Sequence, residues 1–175
     1  MLPQLVTVRR LTFGVALAMG VTPARLVTSG FYRVHLWVLM GLNTFVLQVT
    51  DNGDALFPSD RLPRAPAVRD LGPHFDPVAV AVNEAHRLGM ELHAWFNVFW
   101  VGDVHTMTAF KQGAHPLHVL YAHPDWIRTD GTLFWIDPSH PDARRWLVDN
   151  VLELVRRYDV DAVQFDYVRY PAGGF

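Results

Sequence analysis

The sequence predicts an α/β fold of (β/α)8 TIM-barrel type, incomplete and equivalent to the N-terminal half of such a barrel. Three observations predict it. Short apolar runs alternate along the chain with stretches of helical periodicity, which is how repeated βα units read. Turns from helix to strand are short, whereas the connections after strands run to about 25 and about 40 residues, far beyond the usual length. In a barrel of this type the working loops are those that follow the strands. Third, only three strands are clear, or four if residues 11–17 form the first, where a closed barrel needs eight.

The elements follow in order. Arg9 and Arg10 precede an apolar stretch over 11–21, with small residues near Ala24. This reads either as a secretory signal or as a first strand or buried helix, and it is too short to span a bilayer. Residues 1–24 are therefore kept apart from a partial barrel domain over 25–175. Residues 24–40 read as a helix interrupted by Gly30. Residues 43–49 (NTFVLQV) form a β-branched and aromatic strand, and Asp51-Asn-Gly-Asp54 after it is turn chemistry. Residues 55–75, rich in Pro, Asp and Arg, form a long loop. Asp76 as N-cap and Pro77 at the first helical position open a helix that Gly89 stops. Residues 90–99 are the next strand. Residues 101–135 read as irregular, aromatic and histidine-rich, with a short strand at 133–136. Pro141 opens a second helix to about Arg157, in which Trp146, Leu147, Val151, Leu154 and Val155 fit a 3.6-residue period. The last strand runs over 162–167.

Composition narrows the function classes. Half of the 175 residues are hydrophobic and 18% are charged, so the chain is not of a disordered kind. The net charge of −2 offers no field for nucleic acid or an anionic membrane surface. There is no cysteine, which excludes disulfides, thiolate catalysis and cysteine-ligated zinc. His115, His118 and His123 match no metal-ligand spacing, so no metal or other cofactor is expected. Nucleotide-binding glycine loops, nucleophile elbows and zinc-protease helices are absent from the sequence.

The candidate site comes from side-chain alternation along the strands. His93, Trp95 and Asn97 share one face of their strand, opposite apolar Leu92, Ala94 and Phe96. Ala162, Gln164 and Asp166 share a face opposite Val163 and Phe165. Gln48 falls with Thr44 and Val46. Gln48, Asn97 and Asp166 are thus expected at one rim. A carboxylate where a buried strand meets a loop must be paired, hydrogen-bonded or neutral. Asp166 is accordingly the candidate nucleophile, general acid/base or transition-state stabiliser at a sugar anomeric carbon. The alternative is an ion pair with Arg169 or another arginine. Arg169 itself either positions substrate or anchors its loop. Trp95, Trp100, Tyr167 and Tyr170 offer faces for sugar rings, or serve the core. His93 and Asn97 are hydrogen-bonding candidates. Asp137, in Trp-Ile-Asp-Pro, either faces the site or holds a turn.

Several of these stretches resemble the family 10 glycosyl-hydrolase-like proteins. They are Gly41-Leu-Asn-Thr, Leu47-Gln-Val, Gly53-Asp-Ala-Leu-Phe-Pro-Ser59, Glu84-Ala-His-Arg-Leu-Gly89, Leu92-His-Ala-Trp-Phe-Asn97, Ile136-Asp-Pro138 and Phe165-Asp-Tyr-Val-Arg-Tyr-Pro171. Seven motifs in order over about 36–171 make the resemblance specific. It implies a TIM barrel, a secreted or envelope location and action on glycans, of which bacterial cell-wall glycan is one type. It also implies that Asp166 matches the strand-four aspartate, and His93, Trp95 and Asn97 the strand-three motif. Two positions depart from the family pattern. Tyr167 stands where many members carry a second acid, and Thr50 and Asp51 follow Gln-Val where many carry arginine.

The leading expectation is a glycoside hydrolase domain acting on a poly- or oligosaccharide. Asp166 would be one carboxylate; Asp51, Asp54, Asp103, Asp137 or an acid on a later strand would be the other. The alternatives are a non-catalytic carbohydrate-binding domain, and an inactive fragment whose open sheet edges self-associate. A cytoplasmic location follows if the N-terminus is not a signal.

Overall fold

The computed structural model describes residues 15–18, 41–69, 71–110 and 116–171. The helix expected over 24–40, and most of the N-terminal stretch, lie outside these residues. The elements are β1 (Val15–Ala18), β2 (Thr44–Thr50), α1 (Pro66–Arg69), α2 (Pro77–Arg87), β3 (Glu91–Asn97), β4 (Trp100–Asp103), α3 (Val119–Ala122), β5 (Ile127–Asp130), β6 (Leu133–Ile136), α4 (Pro141–Arg157) and β7 (Ala162–Asp166).

Four strands form one sheet in the order β1-β2-β3-β7, and every neighbouring pair is parallel. Parallel pairing requires crossovers, and α2 supplies the one from β2 to β3 and α4 the one from β3 to β7. The sheet's outer face, Phe45, Leu47, Val49, Leu92, Ala94 and Phe96, is buried in a common core with Val78, Ala81, Val82, Ala85 and Leu154 of the helices. In α4 the buried positions Ala143, Leu147, Asn150 and Leu154 recur at helical spacing. Val155, expected on that stripe, is 41% exposed instead. The helix expected from Pro77 ends at Arg87, and Gly89 follows with φ +69° as a left-handed stop. Asp76 caps α2 by accepting the Ala79 N–H at 3.0 Å, a bond worth about 1 kcal/mol. The Tyr158 hydroxyl donates to the same carboxylate at 2.7 Å and so ties the start of α2 to the end of α4.

One stretch departs from expectation. Residues 101–135, read as irregular apart from 133–136, hold a second, antiparallel sheet in the order β4-β6-β5. It packs on its own core of Val101, Val119, Trp126, Ile136, Ala143 and Leu147, so α4 is shared between the two cores. This insert stands between β3 and α4, on the side of the sheet where strands end.

Candidate active site at the strand ends

The face of the parallel sheet turned away from the helices carries the polar residues, and strand register sorts them into levels. Val46, His93 and Ala162 are level; Gln48, Trp95 and Gln164 form the next level; Asn97 and Asp166 are directly paired above them. A β-bulge between Gln48 and Thr50 breaks the β2–β3 register near the top. Gln48 lies below this break, opposite Trp95, and so stands one level lower than the expected trio requires. It reaches the rim through Asp51, whose Oδ1 accepts from Gln48 Nε2 at 3.3 Å and from Asn97 Nδ2 at 3.3 Å. Asn97 also donates to the Asp51 backbone carbonyl at 3.2 Å, and the Asn97 N–H donates to Thr50 Oγ1 at 3.0 Å.

Asn97 is thus the centre of the rim, with Asp166 on the β7 side and Asp51 on the β2 side. The two acids stand two strand spacings apart in backbone terms, roughly 9–10 Å. The Asp51 carboxyl, although the residue reaches solvent, sits against Gln48, Asn52 and Asn97. Lost hydration raises its pKa above the ordinary aspartate value, and the Asn52 hydrogen bond opposes the rise. Asp166 Oδ1 accepts the N–H of the next residue, Tyr167, at 2.7 Å. Among the described residues Asp166 has no arginine partner, and Arg169 lies instead 4.9 Å over the Tyr167 ring.

An aromatic wall rises beside Asp166. Tyr167 adopts φ +54°, a left-handed conformation uncommon outside glycine. The turn stacks its ring on Trp100, with centroids 5.5 Å apart at 29°. Trp135 meets Trp100 edge-on at 5.4 Å and Tyr167 at 5.8 Å. Tyr170 lies further along and is exposed.

Three of the expected site residues sit elsewhere or are occupied. His93 is on the expected face but two levels below Asn97, about 13 Å along the strand, and its Nε2 pairs with Glu91 at 3.1 Å. Trp95 is buried in the middle level of the sheet and offers no open face. Asp137 is buried, paired with Arg128 at 2.8 Å and accepting the Ser139 N–H at 2.8 Å, which is the turn-holding alternative. These donors hold its carboxyl below the ordinary value, the Ser139 hydrogen bonds contributing most. Asp103 likewise accepts the N–H groups of His105 and Thr106 in a local turn.

Sequence reasoning placed Asp51 and Asp54 among several partner acids and did not single out Asn52 or His118 as site-building residues. The signal was present: a polar turn immediately after a barrel strand lies on the working face. Asp54 is buried beneath that turn and accepts the N–H groups of Asp51 and Asn52 at 3.2 and 3.3 Å. Burial, aided by the Asp51 charge and opposed by these donors, pushes its pKa up to about 6. His118, weighed above as a metal ligand, hydrogen-bonds the Asn52 carbonyl, while His123 stacks on Trp126 at 3.7 Å. No group of three or more metal-ligating side chains occurs among the described residues.

A partial TIM barrel whose strand ends present two acids, a bridging amide and an aromatic wall is of the glycoside-hydrolase type. The chain belongs to the family described as glycosyl hydrolase-like 10, whose profile matches residues 33–174. It is 38% identical over 136 residues to the glycosyl hydrolase DigH of Escherichia coli K12, covering 73% of this chain and 31% of that protein. It is 34% identical over 135 residues to the glycosyl hydrolase YngK of Bacillus subtilis, covering 75% of this chain and 26% of that one. The chain therefore spans about a third or less of the length of these relatives. Among solved structures, the alpha-galactosidase of Lactobacillus brevis superposes with a TM-score of 0.60 at 17% identity, over 94% of this chain and 21% of that one. That likeness supports the barrel fold.

Proposed function

We propose that the chain contributes the acid-bearing rim of a glycoside hydrolase that cleaves O-glycosidic bonds in a poly- or oligosaccharide, with bacterial cell-wall glycan as one candidate. The observation that carries this reading is the in-register pairing of Asn97 with Asp166, with Asp51 hydrogen-bonded to the far side of the same amide. Glycoside hydrolysis uses two carboxyl groups in different protonation states. Lost hydration favours the protonated form of Asp51, which suits the role of general acid. Asp166, with one oxygen held by the Tyr167 N–H, leaves the other lone pairs for the anomeric carbon or a water. Asn97 is buried and gives its Nδ2 to Asp51, so it serves to orient that acid, and the Tyr167 and Trp100 rings offer an apolar face for a sugar. No helix among the described residues is long and apolar enough to cross a membrane.

The test uses the full-length protein and soluble or insoluble glycans, with reducing-end release as the readout. Asp166→Asn should lower kcat at least about 100-fold, the usual scale for losing a positioned acid or base. Near-normal turnover in that variant would reject the assignment. Glycan binding without product release, in wild type and variant alike, would point to a binding domain.

A further inference from the structure

The turn that carries Asp51 is gripped from outside the parallel sheet. His118 belongs to the β3–α4 insert, 66 residues away in sequence from the group that it bonds, and it is fully buried. Its Nδ1 accepts the Leu120 N–H at 3.1 Å, so the ring proton is on Nε2, which donates to the Asn52 carbonyl at 2.6 Å. Phe110, itself buried, backs the ring at 4.8 Å. Burial pulls the pKa of His118 down, with the Asn52 bond opposing, and this favours the neutral tautomer that the two bonds require. Gly53 fits under the ring because it has no side chain. Its φ is +67°, and a Cβ there would lie 2.8 Å from His118 Nε2. Trp100, from the start of the same insert, donates through Nε1 to Asn52 Oδ1 at 3.2 Å, and Asn52 Nδ2 in turn donates to Asp51 Oδ2 at 3.0 Å.

We propose that His118 is a positioning residue: it clamps the turn over 51–54 from the insert, and so sets where the Asp51 carboxyl stands against Asn97. This rests on the reading of Asp51 as a site carboxylate. Its consequence is that the insert, besides forming the aromatic wall, fixes the acid on the opposite side of the rim. β3 holds the first residue of the turn through Asn97, Asp54 ties the turn internally, and His118 adds the hold on Asn52 from the insert.

The test follows the Asp51 carboxyl in the full-length protein by carbon-detected NMR, its signal assigned with Asp51→Asn. In the wild type it should titrate above the ordinary aspartate value, since burial removes hydration. His118→Phe fills the ring's space and donates nothing; Asp51 should then titrate lower by half a unit or more as the turn loosens and its carboxyl hydrates. His118→Gln places an amide N–H near the old Nε2 and should restore the wild-type midpoint. Phe110→Leu, which loosens the ring from behind, should shift Asp51 in the same direction as His118→Phe and serves if that variant does not fold. An Asp51 midpoint unchanged in either variant overturns the proposal. In a glycan-hydrolysing preparation, His118→Phe should lower kcat tenfold or more with KM within twofold, and His118→Gln should recover it. Loss of thermal stability with kcat unchanged also overturns it. If the wild type hydrolyses no glycan, the hydrolase reading fails by itself, and the titration still decides the role of His118.

Discussion

Asp54 should make the protein's stability depend on pH in an unusual direction. Most buried carboxylates are stabilised in the charged form by their partners, and folding weakens as acid protonates them. Asp54 accepts two backbone N–H groups, yet burial and the neighbouring Asp51 charge outweigh them and raise its pKa from 3.8 to about 6. Between those values the folded state holds the proton more tightly than the unfolded chain does. The stability it contributes is therefore fully present below pH 3.8 and is lost as pH rises through about 6. A rise of about two units corresponds to about 3 kcal/mol at 1.36 kcal/mol per unit. Asp54→Asn keeps an oxygen for the Asp51 and Asn52 N–H groups and has no charge to bury. Urea unfolding of wild type and variant at pH 4 and pH 7.5 measures the effect. Relative to wild type, the variant should gain about 2–3 kcal/mol across that interval. Parallel stability curves for the two proteins would refute the claim that a buried, charged Asp54 strains the turn at neutral pH.

Two further predictions concern residues that the structure places in tension. Tyr167→Gly relieves a left-handed backbone costing about 1–2 kcal/mol but deletes the ring stacked on Trp100; glycan affinity should fall about tenfold, from the loss of roughly 1–1.5 kcal/mol of ring contact, while Tyr167→Phe binds as wild type. Equal glycan binding by Tyr167→Gly, measured by calorimetry, would remove the wall from the binding surface. Asn150 is fully buried on α4, and neither its amide nitrogen nor its oxygen has a partner among the described residues. Asn150→Leu, close in volume and apolar, should be neutral or stabilising by about 1 kcal/mol in urea unfolding; a loss of that size would show that the amide is hydrogen-bonded in solution.

Much of the scaffold was legible because its signals are local. Pro141 at a helix start and a 3.6-residue apolar period gave the start of α4 and an end at about Arg157, and Asp76 with Pro77 gave the start of α2. Alternation assigned the correct faces of β3 and β7. The levels of the site were less legible. Alternation along β2 placed Gln48 at the rim with Asn97, but Gln48 pairs with Trp95 and so lies one level lower; alternation fixes a residue's face and not its height against the neighbouring strand. His93 shows the same limit: its face was right, and its height on the strand put it beside Glu91. Of the antiparallel insert only β6 was legible; β4 runs on from the preceding strand after a short break, and β5 exposes Arg128 and Thr129. Its stability comes from pairing with β6 and from packing on α4, which no local window contains.

The insert also explains why the motif after β7 has its composition. A strand-end aspartate followed by a residue in the left-handed region would ordinarily favour glycine or asparagine at that position. Here the residue is Tyr167, and what holds it there comes from elsewhere in the chain: Trp100 and Trp135 from the insert, and Arg169 from the segment that follows. The same turn brings the Tyr167 N–H onto Asp166 Oδ1, so the backbone conformation that exposes the ring also orients the acid. Trp100 touches both halves of the rim, stacking on Tyr167 and donating to Asn52. A single side chain at the start of the insert thus couples the Asp166 side of the site to the Asp51 side. Loss of the Trp100 indole should therefore disturb both acids together, whereas a change at Gln48 or Tyr167 should disturb one.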